Sequence, residues 1–139
     1  MTEGGHVDIS AIIVNRDAAD LLRACLRSME AALDATAMRT ELVVVDNAST
    51  DDSREMVARE FPGVRLIALE RNVGFPAGVN AGIERTTGRW IALLNNDATI
   101  DRDALRQVFA RPIPPDVGTI ALQMRFVARP DLVNSAGLG

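Results

Sequence analysis

Three polar clusters in this sequence each close an apolar run. Asn15-Arg16-Asp17 follows the run near Val7 to Val14, Asp46-Asn47 follows Val43-Val44-Val45, and Asn95-Asn96-Asp97 follows Trp90 to Leu94. The third cluster carries the most chemistry: one hard carboxylate oxygen donor beside two amides. Mg²⁺ and Mn²⁺ prefer oxygen ligands and are often held by one or two carboxylates together with substrate phosphates. Open α/β sheets bind ligands outside the carboxyl ends of their strands. A buried strand ending in Asn-Asn-Asp is therefore a place for a divalent metal and a nucleotide diphosphate, and Asp101 just beyond it is expected to N-cap a further helix.

The elements that must position these clusters alternate. The β-branched run from Val7 to Val14 predicts a strand covered on both faces. Apolar residues at 18, 22, 25, 26, 29 and 33 then recur at steps of three and four, one stripe of an amphipathic helix. A second strand is expected over Leu42 to Val45. A helix should follow, capped by Ser49 or Thr50 with Asp51 and Asp52 in its first turn, and should stop at Phe61-Pro62-Gly63. A third strand (Val64 to Leu69), a helix ending before Gly88, a fourth strand (Trp90 to Leu94) and a short helix from about Arg102 to Ala110 complete the series. Pro112, Pro114 and Pro115 stop that last helix. Val117 to Leu122 reads as a fifth strand; Gln123 to Gly139 carries no legible pattern. Such alternation predicts an α/β fold, a mostly parallel sheet with helices on both faces, in a single domain over residues 1–139.

Composition narrows the function classes. With 139 residues, 47% hydrophobic and 24% charged, the chain can bury a real core. A net charge of −4 argues against a nucleic-acid partner, whose binding surfaces are usually basic. All fifteen basic residues are arginine, which reads as a compositional bias. The single Cys25 excludes an internal disulfide and suits a reducing, cytoplasmic setting. No apolar stretch is long enough to span a membrane, and His6 reads as a solvated terminal residue.

The segment from Asn72 to Gly82 places glycines at 74, 78 and 82. A spacing of four stacks Gly78 and Gly82 on one helix face, permitting close approach of sheet or ligand. Each interior glycine costs roughly 1 kcal/mol against alanine. Tight helix–sheet packing explains Gly82; Asn80 is harder to explain by packing. Asp46 reads equally as a ligand contact or as a turn residue, and Asp51 and Asp52 as helix-start charges. The first strand lacks the G-x-G-x-x-G of a dinucleotide site, and without lysine there is no P-loop.

Taken together, SAIIVNRDAADLLRACLRSM, ELVVVDNASTDDS, NVGFPAGVNAGI and WIALLNNDATID, in this order from Asp8 to Ala110, resemble the family 2 glycosyltransferases of GT-A fold. The N-x-G-F and N-N-D variants are similar to those of rhamnosyltransferase-like and galactofuranosyltransferase-like members. The resemblance implies that Asn15, Arg16, Asp46 and Asn47 contact the nucleobase side of a nucleotide-diphosphate sugar. Gly74, Gly78 and Asn80 would line its pocket. Asn95-Asn96-Asp97 would stand at the metal-binding D-x-D position, with Asp97 the ligand of a Mg or Mn ion and Asn96 facing the ribose or the ion's water shell. Asn95 replaces the first carboxylate of that pattern.

Also implied is metal-assisted transfer of the sugar, with inversion, to an acceptor hydroxyl on a glycan or lipid-linked acceptor, with peripheral contact at the inner face of a membrane. The family's catalytic base lies well after the D-x-D motif. Asp116 and Asp131 lack its context, so the base and the acceptor-binding half are expected beyond Gly139, leaving a donor-binding portion here. Two rivals are a non-catalytic nucleotide-binding or regulatory module and, less favoured, a sugar-nucleotide pyrophosphorylase. The latter needs a Gly-rich basic loop where Asn15 to Asp20 stands.

Overall fold

In the computed structural model, which describes residues 5–135, four strands and four helices alternate before a short hairpin. The strands are β1 (Ile9–Asn15), β2 (Thr40–Asp46), β3 (Arg65–Ala68) and β4 (Trp90–Leu93). The helices are α1 (Ala19–Asp34), α2 (Ser53–Glu60), α3 (Phe75–Glu84) and α4 (Ala104–Val108). All four strands run parallel in the order β3-β2-β1-β4, so their carboxyl ends share one edge.

Strand alternation divides the core. Ile12, Val43 and Val45 point to one face, with Val14 and Ile67 packed beside them. There α3 lies close, because a Cβ on Gly82 would stand 2.8 Å from Ile12 Cγ2 and 3.1 Å from Val45 Cγ2. Ala11, Ile13 and Val44 point the other way and are fully buried, on the side where α1 and α2 pack together. The apolar stripe of α1 is the one its spacing predicts: Leu22, Cys25, Leu26, Met29 and Leu33 are all buried. Helices thus cover both faces of a parallel sheet, as expected.

Several local expectations are corrected. Among the described residues β4 pairs with β1 alone; Ile91 is 37% and Leu93 53% exposed, and the strand is not buried on both faces. Neither Ser49 nor Thr50 caps α2. The N-cap position is Asp52, and Asp51 supplies the oxygen that the Ser53 N–H needs, at 3.0 Å. Asp101 likewise stops short of a cap: its carboxylate accepts from the Asp103 N–H, and α4 begins at Ala104.

Val117 to Leu122 forms no strand. A strand needs a partner more than it needs propensity. In this region pairing goes instead to Met124–Arg125 with Val133–Ser135, a short antiparallel hairpin of β5 and β6. The chain separates into two compact units at Val108. The first holds the parallel sheet; the second, from Phe109, holds the hairpin.

Candidate functional site

The loops after β1, β2 and β3 are joined at the carboxyl edge by side chains. Asp46 ends β2 at 1% exposure. Its Oδ1 accepts from Ser49 Oγ (2.6 Å) and Asn15 Nδ2 (3.3 Å); its Oδ2 accepts from the Ser49 N–H (3.0 Å) and Arg54 Nε (2.7 Å). Four donors fill the roughly four lone-pair sites of a carboxylate. Burial pushes the Asp46 carboxyl up, but the bonds from Ser49, Arg54 and Asn15 outweigh it and hold it below its ordinary value. Arg54 also donates to the Leu69 carbonyl at 3.1 Å, tying in the end of β3.

Asn47, equally buried, reaches the glycine-rich segment. Its Nδ2 donates to the Gly74 carbonyl (3.0 Å) and its Oδ1 accepts the Val73 N–H (2.9 Å). Gly74 takes φ 85°, in the left-handed region, to turn the chain into α3. Gly78 is buried against Val14 and the Asn47 amide, 3.0 and 3.5 Å from where its Cβ would stand. Asn80 is exposed on the same helix and joins none of these bonds.

A second clamp fastens the first two loops. Asp17, at φ 49°, accepts the Thr50 N–H (2.6 Å) and the Asp51 N–H (3.2 Å), while the Ser49 hydroxyl accepts the Asp17 N–H. These backbone donors, Thr50 first, lower the Asp17 pKa. Asp51 answers in the other direction, its Oδ2 accepting the Ala19 N–H at the start of α1. Ala48 between them takes φ 61°, an unusual conformation for alanine.

The end of β4 is built differently. Its backbone is held by α1: the Cys25 thiol donates to the Asn95 carbonyl at 3.4 Å, and Ser28 Oγ accepts the Ile100 N–H at 3.1 Å. Burial, then the nearby Asp97 charge, pushes the Cys25 thiol up to about 12, so it stays protonated and inert. An Ala98 N–H to Asn95 carbonyl bond closes the turn at 3.0 Å. Within that turn Asn95 and Asp97 are exposed and Asn96 half-buried, its Nδ2 donating to Asn15 Oδ1 at 3.0 Å. Arg16 projects beside this edge, its side chain 49% exposed.

The structure therefore brings Asn15, Asp46, Asn47, Gly74, Gly78 and Asn96 into one connected cluster. Arg16, Asn95 and Asp97 stand open at the same edge, and Asn80 stands apart on α3. Sequence reasoning named Asp17 only as part of the first polar cluster and Ser49 only as a helix cap, and missed Arg54. Arg54 had a signal: a cation in the first turn of a helix opposes the helix dipole and needs a partner.

These strand-end loops match a known family. Residues 10–126 fit the description glycosyl transferase family 2. The chain belongs to that family. It is 40% identical over 105 residues to the succinoglycan biosynthesis protein ExoO of Rhizobium meliloti, an overlap of 75% of this chain and 29% of that protein. It is also 40% identical over 67 residues to the dodecaprenyl-phosphate galacturonate synthase of Rhizobium johnstonii, covering 45% of this chain and 20% of that one. The chain thus spans less than a third of the length of these relatives.

Among solved structures, the mannosyltransferase PcManGT of Pyrobaculum calidifontis, in complex with GDP-Man and Mn²⁺, superposes with a TM-score of 0.67 at 22% identity, covering 83% of this chain and 35% of that one. TarS of S. aureus (residues 1–349), in complex with UDP-GlcNAc, gives 0.65 at 23% identity, over 75% of this chain and 30% of that one. At that identity the likeness is one of fold, which is GT-A.

Proposed function

We propose that this family 2 chain is the donor-binding portion of a glycosyltransferase, one that moves a sugar from a nucleotide diphosphate to an acceptor hydroxyl with inversion. One observation carries this: three strand-end loops are locked to each other at one sheet edge, and Asp97, in the turn that closes β4, is left both charged and open there. Among the described residues no group of three or more His, Cys, Asp or Glu could hold an ion. One exposed carboxylate beside two amides fits instead an ion that arrives with the donor's diphosphate, as Mg²⁺ or Mn²⁺ commonly does. Such an ion supplies charge neutralisation on the departing diphosphate.

The chain's own residues bind and orient. Asp97 would hold the ion, with Asn95 in the same turn, and Arg16, paired with Asp17 at 3.7 Å, would stand on the nucleobase side. Gly74, with open space beside it, lets backbone approach the nucleotide, whereas Gly78 serves by seating α3 against Val14 and the Asn47 amide; Asn80 lies further along α3. Asn15, Asp46 and Asn47 contribute at the nucleobase side chiefly by holding the loops, since their polar atoms are already bonded to protein. The acceptor's deprotonation is assigned to none of these residues.

Mn²⁺ and GDP-Man in one structural neighbour and UDP-GlcNAc in another support a nucleotide-sugar donor. A succinoglycan protein and a dodecaprenyl-phosphate synthase among the relatives support a polysaccharide or lipid-linked acceptor; a lipid-linked one would be met by peripheral contact at the inner face of a membrane. No described helix is long and apolar enough to cross one. The N-x-G-F and N-N-D variants support a rhamnosyl- or galactofuranosyl-transferring member.

Calorimetric titration of uridine, guanosine and thymidine diphosphates, with and without Mn²⁺, tests the reading. Metal-dependent binding of one base is expected. Binding of none, or binding indifferent to metal, would return the chain to the class of a non-catalytic module.

A further inference from the structure

A chain of oriented amides runs from the closed end of β2 to the open end of β4. Asp46 is a carboxylate and can only accept, so the Asn15 group 3.3 Å from its Oδ1 must be the NH₂, which also lies 3.4 Å from Ser49 Oγ. The Asn15 amide is fully buried and cannot turn over without placing its oxygen against that carboxylate. Its Oδ1 is thereby fixed toward β4, where it takes a hydrogen bond from Asn96 Nδ2 at 3.0 Å. Asn96 has then spent its donor side on Asn15, and its Oδ1 has no protein partner among the described residues. No buried side-chain oxygen or nitrogen among those residues lacks a partner, so this oxygen is open to solvent. Arg54, 2.7 Å from Asp46 Oδ2, anchors the far end and keeps the first member charged.

We infer that Asn15 is a positioning residue: through it the Arg54–Asp46 pair fixes the polarity of Asn96, so that an oxygen rather than an NH₂ is presented beside Asp97 to a divalent cation. Asn96 Oδ1 thus supplies the neutral hard oxygen that a one-carboxylate motif otherwise lacks. The inference rests on the donor-site reading above.

The test is a double-mutant cycle on Mn²⁺ affinity, read from free Mn²⁺ by electron paramagnetic resonance at a saturating concentration of the nucleoside diphosphate that binds. Loss of an outer partner typically weakens metal binding about 10- to 100-fold. Asn15→Ala is expected to weaken Mn²⁺ about tenfold, Asn96→Ala by a similar factor, and the double variant no further, because both remove the same oriented oxygen. Independent losses that multiply in the double variant, or full affinity in Asn15→Ala, overturn the relay.

Asp97→Ala is the control. If it too keeps wild-type affinity, the donor-site reading fails and takes the relay with it; if it alone loses affinity, only the relay fails. Should Asn15→Ala not fold, the wild-type chain still decides. Under Mg²⁺ and nucleotide, the Asn96 side-chain carbonyl carbon should shift in NMR more than its nitrogen, and the reverse order overturns the inference.

Discussion

At the end of β2, Asp46 is 1% exposed and accepts four hydrogen bonds from its own chain. At the end of β4, Asp97 is exposed in a turn whose backbone is pinned from below by Cys25 and Ser28. The two carboxylates follow apolar strands on the same sheet edge. The difference between them lies in the neighbours. β2 is a central strand, flanked by β1 and β3, whose following loop is tied to Asp17 and Arg54; among the described residues β4 has β1 on one side only. A carboxylate surrounded by donors becomes scaffold, and one left at an edge with its backbone held is available for a ligand.

The largest effect that could break this contrast is on stability. Asp46→Ala leaves Arg54, Asn15 and Ser49 without their shared acceptor, and should destabilise the chain by about 2–3 kcal/mol in urea unfolding, the scale for buried bonds to a charged group. An unchanged midpoint would show the β2 end to be as loose as the β4 end.

Next is Asp51→Ala, which strips an acceptor from the Ala19 N–H of α1 and from the Ser53 N–H of α2. A loss of about 1 kcal/mol is expected, as for a helix cap.

Acid offers a third way to probe the closed end. Both Asp17 and Asp46 sit below the ordinary carboxyl value of 3.8 in the folded chain. A carboxyl with a depressed folded pKa contributes stability that is fully present above its unfolded value and is lost as pH falls through the folded one. The thermal midpoint should therefore drop as pH falls from about 4 toward about 2, and less steeply in Asp46→Asn.

The smallest effect is a gain. Ala48→Gly relieves the left-handed backbone at φ 61°, an alanine strain of roughly 1–2 kcal/mol. Glycine's extra unfolded freedom offsets about 0.5–1 kcal/mol of that. A rise of about 0.5 kcal/mol in unfolding free energy should follow.

How far the sequence alone reaches is visible in the same two strand ends. Apolar runs ending in polar clusters located both, and the alternation of strands and helices gave the parallel sheet, because period and turn residues are local signals. The Asp46 saturation was out of reach: Asn15 lies 31 residues away in sequence, and whether a turn carboxylate is filled depends on contacts across loops. Asp46 stood evenly between ligand contact and turn residue, and the geometry weights the turn. Val117 to Leu122 carried the residue types of a strand but not the partner, and Ile120 and Leu122 are each 40% exposed. The edge position of β4 was hidden for a related reason, since the apolar run Trp90 to Leu94 does not say how many neighbours it has.

The open strand end is tested most directly by Asp97→Asn, with metal-dependent nucleotide binding and unfolding followed on the same sample. We expect the Mn²⁺-dependent part of nucleoside diphosphate binding to vanish while the unfolding free energy stays within about 0.5 kcal/mol of wild type, as for an exposed substitution. Retained metal-dependent binding in Asp97→Asn would contradict the account.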